Sequence, residues 1–309
     1  MSIKSERPNC VVVLGPTASG KTTLACELAL QLNGEIISAD SRQVYKRLDI
    51  GTGKDLSAYN VKGTQIPYHL IDVAEPGEQF FLHEFTAALK HSFEGIRDRN
   101  HLPVICGGTG LYLDALRKDY SLTQIPEDHE LREHLSSLDK DELLVKLSRY
   151  PEKHIAQVDK TSVKRVIRGI EIAEYLSRNR MPDVAPLPYR PFYLGIKPDE
   201  RTLYSNIQKR LNQRFDQGMI AEVEELLQRG ISHERLQALG LEYRFISKYL
   251  LNELTGNEMK DKLLIAIRQY AKRQMTWFRK MEKEGVRIEW LSTSVVDEKL
   301  IKELERFFS

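Results

Sequence analysis

The sequence predicts an α/β protein, a doubly wound and mostly parallel sheet of the P-loop kind with a helical insertion domain, and three observations predict it. The run Gly15-Pro16-Thr17-Ala18-Ser19-Gly20-Lys21-Thr22 fits the phosphate-loop pattern G-x-x-x-x-G-K-[ST]. Strand-like and helix-like segments alternate through the first third of the chain, as in a parallel sheet with crossover helices. From about Asp119 to Arg190 charged helical patterns replace them, and strand composition returns at Pro191. The expected division is 1–118 for the first part of the core, 119–190 for the insertion, and 191–309 for a closing strand with C-terminal helices.

Cys10-Val11-Val12-Val13-Leu14 is an unbroken apolar run, the composition of a buried parallel strand. Lys21 to Leu32 follows as a helix with Leu24, Leu28 and Leu32 on one side, stopping at Gly34. In that setting successive backbone N–H groups and the positive helix end cradle phosphate oxygens. Gly15, Pro16, Thr17, Ala18, Ser19, Gly20, Lys21 and Thr22 are therefore the candidate anion site, with Lys21 a point charge and the Thr22 hydroxyl a ligand for Mg²⁺. A mere glycine turn would need neither that strand nor that helix. Glu35-Ile36-Ile37-Ser38-Ala39 reads as a second strand. Asp40 stands at its C-terminal end, where open α/β sheets place ligands, and opens the polar cluster Asp40-Ser41-Arg42-Gln43. As a bland alternative, Asp40 caps a helix from Arg42 to Lys46.

Pro67 to Val73 gives another strand bearing Asp72, which is either a Mg²⁺ partner or the cap of the next turn. A helical stretch runs from Leu82 to Ile96. Leu102 to Cys106 then leads into Gly107-Gly108-Thr109-Gly110 and a helix from Leu111 to Leu116, repeating the strand, glycine turn, helix plan. That turn offers a second set of N–H donors with the Thr109 hydroxyl beside them, or is a tight turn alone. Thr161 to Arg178 is amphipathic, with Val163, Ile167, Ile170 and Leu176 available for packing and Lys164, Arg165 and Arg168 projecting charge. Pro182 to Pro191 reads as a linker, and Pro191 to Ile196 as a core strand. In the C-terminal third, Leu264, Ile267, Ala271, Met275 and Phe278 make an apolar stripe. Arg268, Lys272 and Arg279 border it, while Arg273 and Lys280 are expected in solvent. Tyr270 and Trp277 either pack in the core or interleave with bases.

The chain has 309 residues and a net charge of +2, so any nucleic-acid surface must come from local clustering rather than overall charge. Cys10, Cys26 and Cys106 lack metal-ligand spacing and read as small buried hydrophobes in a reducing compartment. Met1 to Asn9 is polar, unlike a signal peptide, and no apolar run approaches the ~18 residues of a membrane span. A soluble cytoplasmic protein is expected. Phosphate loops commonly serve ATP or GTP enzymes, yet no segment here resembles a nucleoside-base specificity loop. The residues alone stop at phosphoryl or diphosphate chemistry near Asp40.

Five segments in order add more: Gly15 to Thr22, Asp40-Ser41-Arg42-Gln43-Val44-Tyr45 leading to Asp49-Ile50-Gly51-Thr52, His69-Leu70-Ile71-Asp72, Gly107-Gly108-Thr109-Gly110-Leu111-Tyr112, and Ala271-Lys272-Arg273-Gln274-Met275-Thr276-Trp277-Phe278-Arg279. Together they resemble the bacterial tRNA dimethylallyltransferases, the adenosine-37 isopentenyltransferase family, over nearly the whole chain. That resemblance implies transfer of a dimethylallyl group from dimethylallyl diphosphate to N6 of adenosine 37, in tRNAs reading codons that start with U. It implies Mg²⁺ on Thr22, Asp40 as general base, Thr109 beside it, and Arg214 on the leaving diphosphate. The anticodon stem-loop would contact Asp40, Ser41, Arg42, Gln43, Thr109, Arg132, Lys164, Arg165, Val166, Ile167, Arg168, Gly240, Tyr243 and Arg244. The target base would flip out of its loop. The chain departs from the family at Gly240-Leu241-Glu242-Tyr243-Arg244, where many members have Gly-Tyr-Arg, and this places acidic Glu242 near the RNA path. A monomer without membrane contact is expected. Three other readings remain open: a P-loop kinase, a non-catalytic RNA-binding module, and a prenyltransferase acting on free adenine nucleotides. The helical insertion and the basic segments at Lys164 to Arg168 and Arg268 to Arg279 favour tRNA over a free nucleotide.

Overall fold

The computed structural model describes residues 7–156, 158–180 and 187–308, so the expected linker lies outside the described residues as far as Pro186, and the polar start as far as Glu6. In chain order the elements are β1 (Cys10–Leu14), α1 (Lys21–Gln31), β2 (Gly34–Ala39), β3 (Asn60–Val61), β4 (Thr64–Gln65), β5 (Tyr68–His69), α2 (Leu82–Asp98), β6 (Leu102–Gly107) and α3 (Gly110–Asp114). There follow α4 (His129–Ser136), α5 (Lys140–Leu147), α6 (Glu152–Ile155), α7 (Val163–Arg178), β7 (Pro191–Ile196), α8 (Glu200–Asp216), α9 (Met219–Gln228), α10 (His233–Leu239), α11 (Leu241–Leu250), α12 (Gly256–Lys283), β8 (Ile288–Leu291) and α13 (Glu298–Phe308). They form two compact units, Met1–Arg117 with Pro188–Ser309, and Lys118–Leu187. No described helix is long and apolar enough to cross a membrane.

The larger unit is built on a six-stranded parallel sheet in the order β5-β2-β6-β1-β7-β8, with β3 and β4 as a separate hairpin. Alternation along β1 shows why it is doubly wound. Cys10, Val12 and Leu14 join the core beneath α2, α3 and α12, while Val11 and Val13 join the core beneath α1 and α13. Both faces are covered, so β1 is apolar without a break, and each fully buried valine contributes about 1.5–3 kcal/mol of transfer free energy. Leu14 pairs with Gly107 on one side and Gly195 on the other, and Ala39 also pairs with Gly107. Strands β2, β6 and β1 therefore end on one line, and their C-terminal loops leave side by side. Gly107 makes this possible, because a Cβ there would collide with the backbone of Ala39.

The expected strand from Pro67 to Val73 shrinks to Tyr68–His69, because Leu70 (φ 64°) and Asp72 (φ 58°) turn left-handed and carry the chain off the sheet. No helix forms from Arg42 to Lys46; Asp40 instead closes a turn by accepting the Arg42 N–H at 2.9 Å. On α12 the buried stripe is Met259, Leu263, Ile267, Ala271, Gln274, Phe278 and Met281, one residue removed from the expected Leu264 and Met275. The stripe thus includes a polar residue.

The smaller unit, Lys118–Leu187, packs α4, α5, α6 and α7 around Leu135, Leu143, Leu147, Val166 and Ile170. Asp128 and Asp139 cap α4 and α5 by accepting backbone N–H bonds, the usual role of aspartate at a helix start.

At the N-terminal edge of the sheet the buried Glu35 carboxylate accepts two guanidinium bonds from Arg99, both at 2.8 Å, and contacts His69 and His101 at 2.7 Å each. Arg99, opposed by burial but seconded by the two imidazoles, holds Glu35 down at about 2. A depressed carboxyl stabilises the fold above its unfolded value and loses that contribution as pH falls toward about 2. Glu35→Gln should lower stability by about 2 kcal/mol at neutral pH and flatten the loss below about pH 5, measured by urea unfolding across pH.

Candidate active site

The phosphate loop joins β1 to α1 with Ala18 at φ 62° and Gly20 at φ 86°. Left-handed turns of this kind aim successive N–H groups at one point, at a cost of about 1–2 kcal/mol for a residue with a Cβ. Lys21 folds back over the loop, its ammonium 3.4 Å from the Pro16 carbonyl, and burial lowers its proton affinity. The Ser19 hydroxyl is buried with no protein partner, as expected of a group directed at a ligand.

Asp40 follows β2 beside this loop, and Gly108 and Thr109 follow β6. The Thr109 hydroxyl accepts the Ser41 N–H at 3.0 Å and lies 3.3 Å from the Ser41 hydroxyl, which ties the two turns together. Ser38 donates to Gln43 at 3.1 Å, and the Gln43 amide donates to the Gly53 carbonyl at 3.2 Å. Gln43 is thereby a strut beneath Asp40.

Two residues that the sequence reading left out of the site complete it. Gln274, the polar member of the α12 stripe, accepts the Thr17 N–H at 2.8 Å and donates to the Gly108 carbonyl at 2.8 Å. It bridges both glycine turns. Arg210, one helical turn before Arg214 on α8, bonds the Thr17 hydroxyl. Burial, with Arg214 beside it, pushes the Arg210 guanidinium down to about 9. Arg214 itself is 6% exposed and donates to the Gly51 carbonyl at 3.2 Å and to Glu242 at 3.0 Å. Half-buried Lys21 and Arg210 with buried Arg214 are a concentration of positive charge that suits an anionic ligand. The i, i+4 spacing of the two arginines was the available signal for Arg210.

Three spaces surround this charge. A cavity of about 480 Å³ is walled by Asp40, Thr109, Arg214, Tyr270, Arg273 and Trp277. A more polar cavity of about 650 Å³ reaches Lys21, Thr22 and Arg210 past Asp55 and Lys209. An enclave of about 50 Å³, bounded by Lys21, Thr22, Asp40, Thr52, Cys106 and Arg210, shares walls with both. Arg273, expected in solvent, lines the first cavity because α12 turns its Tyr270, Arg273 and Trp277 face toward it. Trp277 packs against Gly110, where a Cβ would collide with the indole. Burial raises the Tyr270 phenol and keeps it neutral.

The remaining expected residues fall in different places. Asp72 bonds the buried Lys54 ammonium, so its carboxylate is committed to that ion pair rather than to the phosphate loop. Gly240 separates α10 from α11. Tyr243 is 1% exposed and donates to Glu222 at 2.7 Å, an inward ring where an RNA contact was expected. Arg244 donates to the Gln237 carbonyl at 3.1 Å and borders the 480 Å³ cavity. In the smaller unit, Val166 and Ile167 are buried in the helical core. Arg132 pairs with Glu127 and Glu171, and Arg168 donates to the Ile125 and Pro126 carbonyls. Lys164 and Arg165 are exposed, Arg165 meeting Asp159. Burial pushes the thiols up, to about 12 for Cys10 and Cys26 and about 11 for Cys106. As expected, all three cysteines are buried and free.

A phosphate loop at the carboxyl edge of a parallel sheet, with a carboxylate and an aromatic-walled cavity across from it, defines a P-loop transferase that brings an anionic donor to a flat acceptor. Two family models match the chain, IPP transferase over residues 43–281 and isopentenyl transferase over 8–73. A tRNA dimethylallyltransferase of Parabacteroides distasonis is 46% identical over 292 residues, 94% of each chain. One from Shewanella sediminis is 46% identical over 93% of this chain and 94% of its own. The full-length tRNA isopentenylpyrophosphate transferase of Bacillus halodurans superposes with a TM-score of 0.69 at 34% identity, covering 97% of this chain and 95% of that one. A eukaryotic dimethylallyltransferase acting on tRNA shares the fold, with a TM-score of 0.72 at 23% identity over 92% of this chain and 74% of that one. The chain belongs to the tRNA dimethylallyltransferase family.

Gln274→Leu would leave the Thr17 N–H and the Gly108 carbonyl unpaired, so it should cost about 1–3 kcal/mol in urea unfolding. Inorganic diphosphate at 100 times its Kd should stabilise the parent protein by about 2.7 kcal/mol, and Arg210→Leu should abolish most of that gain in a thermal shift titration.

Proposed function

We propose that this protein transfers the dimethylallyl group of dimethylallyl diphosphate to N6 of adenosine 37 in tRNAs reading codons that start with U. The observation that carries this reading is the placement of Asp40, which walls both the enclave beside the phosphate loop and the aromatic-walled cavity. The diphosphate occupies the loop, and the flipped adenine enters between Tyr270, Trp277 and Asp40. As the allylic C–O bond breaks, its electron pair leaves with the diphosphate. Lys21, the loop amides, Arg210 and Arg214 stabilise that charge. The adenine nitrogen forms the new C–N bond and its proton passes to Asp40. An exocyclic amine is a weak nucleophile, so orientation by Asp40, Thr109 and the aromatic walls contributes more than basicity.

Mg²⁺ fits this site as a companion of the diphosphate. Thr22 and Asp40 both line the enclave, and no cluster of three metal-ligating side chains occurs among the described residues. Such an ion would be held by Thr22 and diphosphate oxygens, with water completing its shell, and would supply further charge neutralisation. The exposed Lys164 and Arg165, with Arg244 at the cavity, are our candidates for the anticodon stem-loop. Arg132, Arg168, Val166 and Ile167 would act by holding the helix that carries them. We take the working protein to be a cytoplasmic monomer.

Labelled dimethylallyl diphosphate, Mg²⁺ and an unmodified tRNA reading UNN codons test the assignment, with AMP as a parallel acceptor and ATP as a parallel donor. Label at adenosine 37 is expected; label in AMP, or ATP turnover without prenyl transfer, would contradict it. Asp40→Ala should lower transfer by at least about 10²-fold, the scale of general-base loss, while tRNA affinity in a filter-binding assay stays within a factor of three or so.

A further inference from the structure

Residues Asp49 to Lys54 form a tight loop that supplies Thr52 and Gly53 to the wall of the enclave. Its internal bonds, Gly53 N–H to the Ile50 carbonyl at 3.1 Å and Lys54 N–H to the Asp49 carbonyl at 3.0 Å, shape the turn. They do not locate it relative to the phosphate loop. Bonds from outside do that, one of them from the Gln43 amide to the Gly53 carbonyl at 3.2 Å. On one side the Lys54 ammonium reaches the Tyr45 carbonyl at 2.5 Å, Asp49 at 2.9 Å and Asp72. On the other, the carboxylate of Glu222 from α9 gathers three consecutive amides. One oxygen accepts the N–H groups of Asp49 at 2.9 Å and Ile50 at 2.7 Å; the other accepts that of Gly51 at 3.0 Å and the Tyr243 hydroxyl at 2.7 Å.

The anchored segment touches Arg214. With its N–H held by Glu222, Gly51 presents its carbonyl to the Arg214 guanidinium at 3.2 Å. Gly53, at φ 68°, lies so close to the same guanidinium that a Cβ would collide with it. An arginine side chain carries about 2 kcal/mol of rotamer freedom, which must be removed if its charge is to meet a leaving group at a fixed place. The walls that remove it are Gly51, Gly53 and Glu242; Glu222 holds Gly51 directly and Gly53 through Ile50, whose carbonyl accepts the Gly53 N–H.

We propose that Glu222 is a positioning residue for the diphosphate site, acting through the Asp49 to Gly53 loop to set the guanidinium of Arg214. This rests on the proposed function in one respect, that Arg214 meets the diphosphate. Glu222 touches neither substrate. A carboxylate suits the task because four donors converge on its two acceptor oxygens, whereas glutamine would turn an NH₂ group toward some of them.

Glu222→Gln should raise KM for dimethylallyl diphosphate and lower kcat, together by roughly ten- to a hundredfold in kcat/KM, the effect of a catalytic group misplaced by about 1 Å. KM for tRNA should stay unchanged. In the Arg214→Gln background the same substitution should change kcat/KM less than about twofold, since residues acting as a unit are non-additive. Equal, additive losses in both backgrounds would overturn the proposal. Calorimetry with inorganic diphosphate carries the test without turnover. A parent protein that binds diphosphate but prenylates no tRNA would contradict the proposed function alone, whereas equal diphosphate affinity in the parent and Glu222→Gln would overturn the role of Glu222. Should Glu222→Gln fail to fold, Glu222→Asp takes its place. It keeps the charge on a shorter arm and should weaken diphosphate binding without lowering tRNA affinity; unaltered diphosphate binding would overturn the proposal equally.

Discussion

Gly107 can stand beside Ala39 only because it has no side chain, and the alignment of strand ends depends on that close approach. Leu14, Ala39 and Gly107 share one line across the sheet, so the loops after β1, β2 and β6 emerge together at its carboxyl edge. One loop brings a ring of amides with Lys21, the second brings Asp40, and the third brings Thr109. None of these groups meets the others by nearness in sequence. The parallel register assembles them.

Charge then sets what the assembled site can hold. The half-buried Lys21 and Arg210 lie close to the buried Arg214, and Glu242 is the carboxylate bonded to Arg214. Desolvation first, and then the neighbouring Arg214, lowers the proton affinity of Arg210. A diphosphate supplies opposite charge, and donors held in place beforehand need little reorganisation when it leaves. Beside this charge lies the cavity lined by Tyr270, Trp277 and Asp40. The pairing suits a flat base presented to an electrophilic carbon, whereas a kinase would need its base site on the donor side.

Local features of the fold were legible in the sequence because local interactions determine them. The β1 apolar run, the glycine loop, α1, β7 and the Gly108-Thr109 turn after β6 all follow from short patterns and stand close to where the patterns put them. The strand expected over Pro67 to Val73 was truncated by two left-handed residues that no composition rule marks. On α12 the apolar count favoured Leu264 and Met275, but tertiary packing rotated the helix by one residue and buried Gln274, whose hydrogen bonds to two distant turns make that burial tolerable. Glu222 was invisible for the same reason, since its partners lie 171 to 173 residues away in sequence, whereas Arg210 had a local signal in its i, i+4 spacing from Arg214 although its Thr17 partner lies 193 residues away. Val166 could be read as surface only while the direction of the α7 face was unknown, whereas Ile167 is buried as its place on the expected packing face requires.

A diphosphate in the enclave of about 50 Å³ would touch three segments that line it: the phosphate loop, the turn at Thr52 and Gly53, and Gly107 at the end of β6. Hydrogen–deuterium exchange with and without an unreactive thiodiphosphate analogue of the dimethylallyl donor tests this most directly. Added protection is expected in three segments at once: the phosphate loop at 15–22, the Gly51 to Gly53 turn, and the turn at 107–110. Protection confined to 15–22, with the other two turns exchanging as before, would contradict it.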